Sequence, residues 1–257
     1  MKKAKALILT TAGINCDFET QAALNICGAR SERVHLHELI SKKNKLQNYD
    51  ILVFPGGFSY GDDIASGKIL AYQIKDKLKD EILKFAQSKK LIIGICNGFQ
   101  ALVKMGLLPD EKTFKQSVTL YYNDSGKFEC RWVYLKTNPQ NNCIWTKNLP
   151  EIICLPIAHG EGKFITKDEK ILKNLKKNNQ VVFKYCDAKG DFGKYPICPN
   201  GSQENIAAIS NSGGNIFGLM PHPERFIFAL QSVTKKGFDD QFGWGKIIFE
   251  NAVNYIG

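Results

Sequence analysis

The sequence predicts a single α/β domain over residues 1–257, doubly wound around a mostly parallel sheet with antiparallel extensions. Its length and 44% hydrophobic content fit one large core, and no Pro-, Gly- or Ser-rich linker divides the chain. Short apolar runs at residues 4–9, 50–54 and 91–95 are bounded by Gly, Pro or Asn, which is typical of buried parallel strands. Helical periodicity lies between these runs, so strands and helices alternate.

Two segments between the apolar runs have the spacing of amphipathic helices. They cover residues 17–27 and 69–86. Their apolar residues recur every three or four positions: Phe18, Ala22 and Ile26 in the first, and Ile74, Leu78, Ile82 and Phe85 in the second. We therefore expect two helices that each present an apolar face.

Residues 33–39 alternate between apolar and polar side chains, which predicts a further strand. Val34 and Leu36 would lie on one face of this strand, and His35 and His37 on the other. Two histidines on one face could bind a metal, but no third ligand is nearby. We therefore expect a solvated face and no metal site.

The second half of the chain has a different character, with many strands and few helices. The apolar segments predict that antiparallel strands extend the sheet, before a final helix. The strand-like segments are residues 113–135, 152–165, 181–185 and 205–219, and the helix covers residues 241–255.

Composition limits the class of protein. No apolar run reaches the roughly 18 residues of a membrane span, and the first apolar stretch is too short for a signal peptide, so we expect a cytoplasmic protein. The net charge of +10 comes from 31 Lys and only 4 Arg. Because the lysines are scattered, with residues 163–177 best interpreted as a solvated helix face, we expect no nucleic-acid partner. Eight cysteines without a Cys-x-x-Cys pair favour reduced thiols over zinc.

The clearest chemical signal is Gly94-Ile-Cys96-Asn97-Gly98, where a buried strand runs directly into an amphipathic helix. That context predicts a nucleophile elbow, with the side chain of Cys96 exposed at the carboxyl end of the sheet. A helix N-terminus also favours the thiolate form of cysteine. Cys96 is therefore the candidate nucleophile.

Two neighbouring motifs are weaker candidates. Gly57-Phe58-Ser59-Tyr60-Gly61 matches the serine hydrolase pattern, but Pro55 and Gly56 separate it from the strand and no apolar helix follows at once. This loop is better suited to supply backbone N–H groups to an oxyanion. The nearest phosphate-loop match, residues 61–69, has the wrong spacing and lacks the final Ser or Thr, so we expect no ATP site in this chain.

A cysteine nucleophile needs a base, and His222 and His159 are the candidates. Two prolines flank His222 and restrict its backbone, and Glu224 could orient its imidazole as the third member of a triad. His159, in the segment Ala158-His159-Gly160, cannot be dismissed from spacing alone.

The combination of the Cys96 elbow with Pro221-His222-Pro223-Glu224 resembles the class I glutamine amidotransferases, which hydrolyse glutamine with a Cys-His-Glu triad. Four further segments resemble the glutaminase subunits of phosphoribosylformylglycinamidine synthase within that class. These segments are residues 13–20, 54–67, 126–132 and 156–162.

The resemblance implies a flavodoxin-like fold and a role for each site residue. Cys96 would attack the glutamine amide, His222 would transfer protons, and Glu224 would orient His222. The N–H groups of Gly57 and Asn97 would stabilise the oxyanion, and Gln100 and the loop with Gly56 and Phe58 would shape the glutamine pocket. The chain itself would hold no cofactor or metal; ATP and Mg would bind a partner synthetase subunit, accompanied by a small accessory subunit.

Two other interpretations remain open at this point. One is a different enzyme on the same elbow, either a cysteine peptidase or a glutaminase serving another pathway. The other is a non-catalytic, lysine-rich module that binds nucleic acid, for which steeply salt-dependent binding and indifference to changes at Cys96 are expected.

Overall fold

A nine-stranded sheet forms the centre of the computed structural model, which describes residues 3–232 and 241–257. The strands in chain order are β1 (Lys5–Thr10), β2 (Arg30–His35), β3 (Ile51–Phe54), β4 (Leu91–Ile95), β5 (Val118–Tyr121), β6 (Glu129–Thr137), β7 (Ile152–His159), β8 (Lys163–Thr166), β9 (Val181–Cys186), β10 (Ile206–Ser210) and β11 (Ile216–Leu219). The helices are α1 (Asp17–Ile26), α2 (Leu36–Ile40), α3 (Lys68–Lys77), α4 (Lys79–Gln87), α5 (Asn97–Met105), α6 (Glu169–Lys177) and α7 (Trp244–Ile256).

The sheet has the order β2-β1-β3-β4-β11-β10-β9-β6-β7. The first five of these strands are parallel, and the remaining four join by antiparallel pairing. β5 and β8 pair separately as a small antiparallel ribbon. The predicted doubly wound sheet with antiparallel extensions is therefore confirmed.

β4 and β11 are the strands that position the site. All five residues of β4 and all four of β11 are buried. Both faces of these strands are covered, which is why their sequences are unbroken apolar runs and do not alternate with polar residues. The two strands are parallel neighbours, with Ile95 opposite Leu219. Their carboxyl ends therefore meet at one edge of the sheet.

The prediction that α1 packs through its Phe18, Ala22 and Ile26 face is wrong. Phe18 and Ile26 are exposed, and α1 instead packs through Ala23, Leu24 and the polar Thr20. The guanidinium of Arg33 lies 3.4 Å from the centre of the exposed Phe18 ring.

The strand predicted over residues 33–39 is also partly wrong, because β2 ends at His35 and α2 begins at Leu36. His35 Nδ1 accepts a hydrogen bond from the His37 N–H, and Glu38 Oε1 accepts one from the His35 N–H. This capping box turns the chain into a helix. Val34 and Leu36 are buried as predicted, so the burial pattern alone could not distinguish the two structures.

Two further boundaries differ from the prediction. The helix expected over residues 69–86 is two helices, α3 and α4, which meet at Leu78, where φ is −131°. The lysine-rich residues 163–177 are helical only over α6, and their first part is strand β8. None of the described helices is both long and apolar enough to cross a bilayer.

Candidate active site

Cys96 occupies the turn between β4 and α5, with φ 50° and ψ −106°. A positive φ is strained for a residue with a side chain, and such strain is often retained at functional sites. Gly98, in the first turn of α5, lies so close to the Phe54 backbone that any Cβ there would clash with it. The backbone therefore has the predicted elbow conformation, but the Cys96 side chain is buried and not exposed as predicted.

His222 lies just beyond β11 and reaches the same edge of the sheet as Cys96. The two segments are tied together, because the Cys96 N–H donates to the Leu219 carbonyl at 2.8 Å. The His222 N–H donates to the Pro156 carbonyl at 2.8 Å, and Pro223 begins a short turn immediately afterwards. This fixed backbone holds the imidazole in place.

Glu224 binds the imidazole directly, since its Oε1 lies 2.6 Å from His222 Nδ1, and both residues are buried. Burial, the largest influence, lowers the His222 pKa, but the Glu224 carboxylate and the nearby Cys96 thiol raise it well above its ordinary value. Among the described residues, His222 Nε2 has no hydrogen-bond partner. That nitrogen is available to exchange a proton with a thiol or a substrate.

The loop that follows β3 lies against the imidazole. A Cβ at Gly56 would stand 2.8 Å from His222 Cε1, so only glycine fits there. Gly57, with φ 142°, pairs in an isolated bridge with Ile14. The Phe58 N–H already donates to the Gly13 carbonyl, so Phe58 can contribute only its half-exposed ring.

Asn97 and Gln100 lie on α5, directly after the elbow. The Asn97 N–H belongs to the first turn, where a helix supplies no acceptor. The side chain of Asn97 binds the Ser59 N–H, Asp62 and the Gln100 Oε1. Gln100 Nε2 donates to the Glu161 carbonyl at 2.6 Å. Both amide groups thus hold surrounding loops, and the use of Gln100 in substrate binding stays a prediction.

A buried polar network continues from these residues to the loop after Ser59. Ser66 Oγ lies 2.9 Å from both Asp62 Oδ2 and Glu161 Oε1, and Lys104 Nζ lies 3.7 Å from Glu161 Oε2. Burial raises the pKa of Asp62 and lowers that of Lys104. The network connects the loop with the elbow helix, and sequence spacing gave no signal for it.

The alternative residues are less suited to the chemistry. Ser59 is buried, and its Oγ has no hydrogen-bond partner in the described part of the chain. His159 is buried with Nδ1 3.1 Å from Asn123 Oδ1, and burial, assisted by the charge of His222, lowers its pKa to about 3. An imidazole with that pKa is neutral and weakly basic near pH 7. His222 is therefore the better base.

Cys16 also lies at the site, although the sequence analysis assigned it no function. Its Sγ accepts a hydrogen bond from Arg225 Nη2 at 3.1 Å. Cys16, His222 and Glu224 offer ligand atoms within 4.8 Å of one another, a set that could in principle hold a metal ion. The Arg225 guanidinium beside this set disfavours a cation, and the His222 Nδ1 is already bound to Glu224.

Comparisons with known proteins agree with this chemistry. A family model described as a CobB/CobQ-like glutamine amidotransferase domain matches residues 3–256. The chain is 46% identical to the phosphoribosylformylglycinamidine synthase subunit PurQ of Dehalococcoides mccartyi, over 99% of this chain and 98% of that protein. It is 43% identical to PurQ of Methanococcus maripaludis, over 98% and 97% of the two chains.

Solved structures give the same result. A chain from the structure of PurLQS from Thermotoga maritima has a TM-score of 0.75 and 36% identity, with 100% of both chains covered. A glutamine amidotransferase from Thermotoga maritima, at 14% identity, has a TM-score of 0.53 over 90% of this chain and 80% of that one, and so resembles it in fold.

Proposed function

The chain belongs to the family of CobB/CobQ-like glutamine amidotransferase domains, and from this premise we propose that it is the glutaminase subunit of phosphoribosylformylglycinamidine synthase. It hydrolyses glutamine to glutamate and ammonia. The ammonia is used to convert formylglycinamide ribonucleotide to formylglycinamidine ribonucleotide in purine biosynthesis. The observation that carries the proposal is the meeting of Cys96 with the His222–Glu224 pair at the ends of two neighbouring parallel strands.

The first half of the reaction forms a thioester. The Cys96 thiol gives its proton to His222, the thiolate attacks the side-chain amide carbon of glutamine, and the carbonyl oxygen becomes an oxyanion. As the carbon–nitrogen bond breaks, His222 gives its proton to the departing nitrogen, which leaves as ammonia. The raised pKa of His222 suits this step, because the imidazole is protonated when the leaving group needs the proton.

The second half reverses the proton transfer. The neutral His222 removes a proton from water, and the resulting hydroxide attacks the thioester carbon. The carbon–sulfur bond then breaks, which releases glutamate and restores the Cys96 thiolate beside the protonated His222. Glu224 keeps Nδ1 bound throughout and stabilises the positive charge on the ring. The N–H groups of Gly57 and Asn97 are the proposed oxyanion donors, each worth about 3 kcal/mol in the transition state.

The synthetase chemistry belongs to partners. We place ATP and Mg on a separate synthetase subunit, joined by a small accessory subunit, and the complex in the cytoplasm. The Cys96 site performs an acyl transfer that needs no nucleotide. In the glycine-rich loop after β3, Ile69 follows Lys68 where a phosphate loop needs Ser or Thr, which agrees with this division.

An electrophilic glutamine analogue tests the proposal directly. The chain, assembled with its synthetase partner, is treated with the analogue, and the labelled peptide is located by mass spectrometry. We expect a single modified residue, Cys96, and protection by excess glutamine. Label on Ser59 or on another cysteine, or no protection by glutamine, would contradict the proposal.

A further inference from the structure

Cys16, the buried thiol beside the imidazole, connects two halves of the site that are far apart in the chain. We propose that Cys16 is a positioning residue for glutamine hydrolysis, which ties the His222–Glu224 segment to the Gly56–Gly57 loop; the inference rests on the proposed glutaminase function. Its side chain holds the first of these segments and its backbone holds the second.

The side chain acts through Arg225. The Cys16 Sγ accepts from Arg225 Nη2 at 3.1 Å, and its own S–H donates to Asn15 Oδ1 at 3.3 Å. Arg225 Nε in turn lies 4.0 Å from Glu224 Oε1. The guanidinium is thus held between the thiol and the carboxylate that orients His222. Arg225 Nε also lies 3.6 Å from Glu19 Oε1, so losing the thiol removes one of three groups that hold the guanidinium.

The backbone acts on the opposite side of the site. The Cys16 N–H donates to the Gly56 carbonyl at 3.2 Å, directly before the proposed oxyanion donor Gly57. The Cys16 carbonyl accepts from the Thr20 Oγ at 2.6 Å and from the Thr20 N–H at 3.2 Å. Cys16 is therefore anchored to the start of α1 and transmits that fixed position to the loop.

Cys16 is not a second nucleophile. Burial, the largest influence, raises the pKa of its thiol, although contacts with His222 and Arg225 oppose the change. The thiol is neutral near pH 7, and it does not lie on a strand-to-helix elbow as Cys96 does. Its contribution lies in hydrogen bonding, which a hydroxyl can reproduce in part.

A comparison of Cys16→Ala with Cys16→Ser in the assembled enzyme tests this role. For Cys16→Ala we expect kcat with glutamine to fall about tenfold, with KM changed less than about twofold, because the lost thiol acts through Arg225 and Glu224 on the base, whose contacts matter most in the transition state. For Cys16→Ser we expect kcat within about threefold of the original, since a hydroxyl still accepts from Arg225. Cys143→Ala, which removes a buried thiol outside the site, should leave both parameters unchanged.

Three results would overturn the inference: an unchanged kcat in Cys16→Ala, equal losses in the alanine and serine variants, or a loss that appears in KM alone. If Cys16→Ala does not fold, Arg225→Gln replaces it, and unchanged kcat there has the same meaning. Ammonia-dependent synthesis by each variant confirms an intact partner. The proposed function is judged separately, since it fails if the original chain shows no glutamine turnover or keeps that turnover after Cys96→Ala.

Discussion

Cys96 and Cys16 are both buried thiols close to His222, and their backbone settings separate their roles. Cys96 stands on a strained turn at the end of β4, with the helix N-terminus of α5 beside it. Cys16 lies in an unstrained backbone and is held by Arg225 and Asn15. Identical side chains can therefore serve as nucleophile and as positioning group.

Replacing Cys96 by alanine should abolish glutamine-dependent synthesis and leave ammonia-dependent synthesis by the assembled enzyme. The reason is that the thioester cannot form, whereas the synthetase subunit still accepts free ammonia. Ser59→Ala serves as the control and should retain most activity, because the Ser59 Oγ has no catalytic partner. The measurement is the steady-state rate of synthesis with glutamine and with ammonia. If Ser59→Ala abolished the glutamine-dependent rate and Cys96→Ala left it normal, Cys96 would not be the nucleophile.

His222→Ala should lose more activity than Glu224→Gln, by about 10³-fold against about 10²-fold in kcat, because the orienting carboxylate of a triad contributes less than the base. Glu224→Gln should also lower the His222 pKa, since the charge that raises it is removed. NMR titration of the imidazole measures that shift. If the His222 pKa were unchanged in Glu224→Gln, Glu224 would not be the cause of the raised pKa.

The raised pKa also links His222 to stability. The protonated imidazole is favoured in the folded chain, so its contribution is complete below the ordinary pKa of about 6.5 and is lost as pH rises through the higher folded value. In Glu224→Gln, the free energy of unfolding should therefore decrease less steeply as the pH rises above about 6.5.

Cys96, His222 and Glu224 could be proposed from the sequence because each lies in a short motif with a restricted local backbone. Cys16 and Arg225 were missed as a pair because their contact joins segments at opposite ends of the chain. The position of Phe58 within the loop was predicted, but the occupation of its N–H by Gly13 follows from tertiary pairing. Such contacts have no periodicity that a single sequence can display.

Among the elements, β4 and α5 depend on one another through a close backbone contact. Gly98→Ala would place a methyl group against the Phe54 carbonyl, and so the strand and helix would have to separate. We expect the free energy of unfolding to fall by about 1–3 kcal/mol, which is typical of overpacking. Urea denaturation measures the change.

Gly160→Ala provides the control for that experiment. A Cβ at Gly160 would meet only the Phe128 ring at 3.9 Å, an ordinary contact, so stability should change by less than about 0.5 kcal/mol. Equal stability of both variants would show that the Gly98 contact can relax.

Helix α1 explains where pattern-based prediction failed at this scale. The four-residue spacing of Phe18, Ala22 and Ile26 was real, but it marked the exposed face, because the sheet side is lined by Ala23, Leu24 and Thr20. The spacing of apolar residues shows that a helix has two different faces, but it does not show which face packs against the sheet. In β4, where every position is buried, no such choice existed and the prediction was confirmed.

At the scale of the whole molecule, we expect the isolated chain to be a poor glutaminase. Ser59, two residues after Gly57, is connected through Asn97 to Asp62, which lies close in the chain to the exposed Ile64. A partner bound at this exposed segment can therefore reorient the oxyanion donors. Glutaminase kcat should rise when the synthetase partner and its nucleotide and ribonucleotide substrates are added, with a smaller change in KM. Equal kcat in both conditions would indicate an uncoupled amidohydrolase.

The position of β11 in the sheet has a consequence for synthesis of the chain. β4 is made early, yet its neighbour on one side is β11, which is made late and carries the segment with His222 and Glu224. A nascent chain that has completed only its first half therefore has an unpaired β4 edge and a thiol with no imidazole beside it. The segment with Cys96 therefore leaves the ribosome before the segment with His222 and Glu224, and on the proposed mechanism an unfinished chain cannot hydrolyse glutamine.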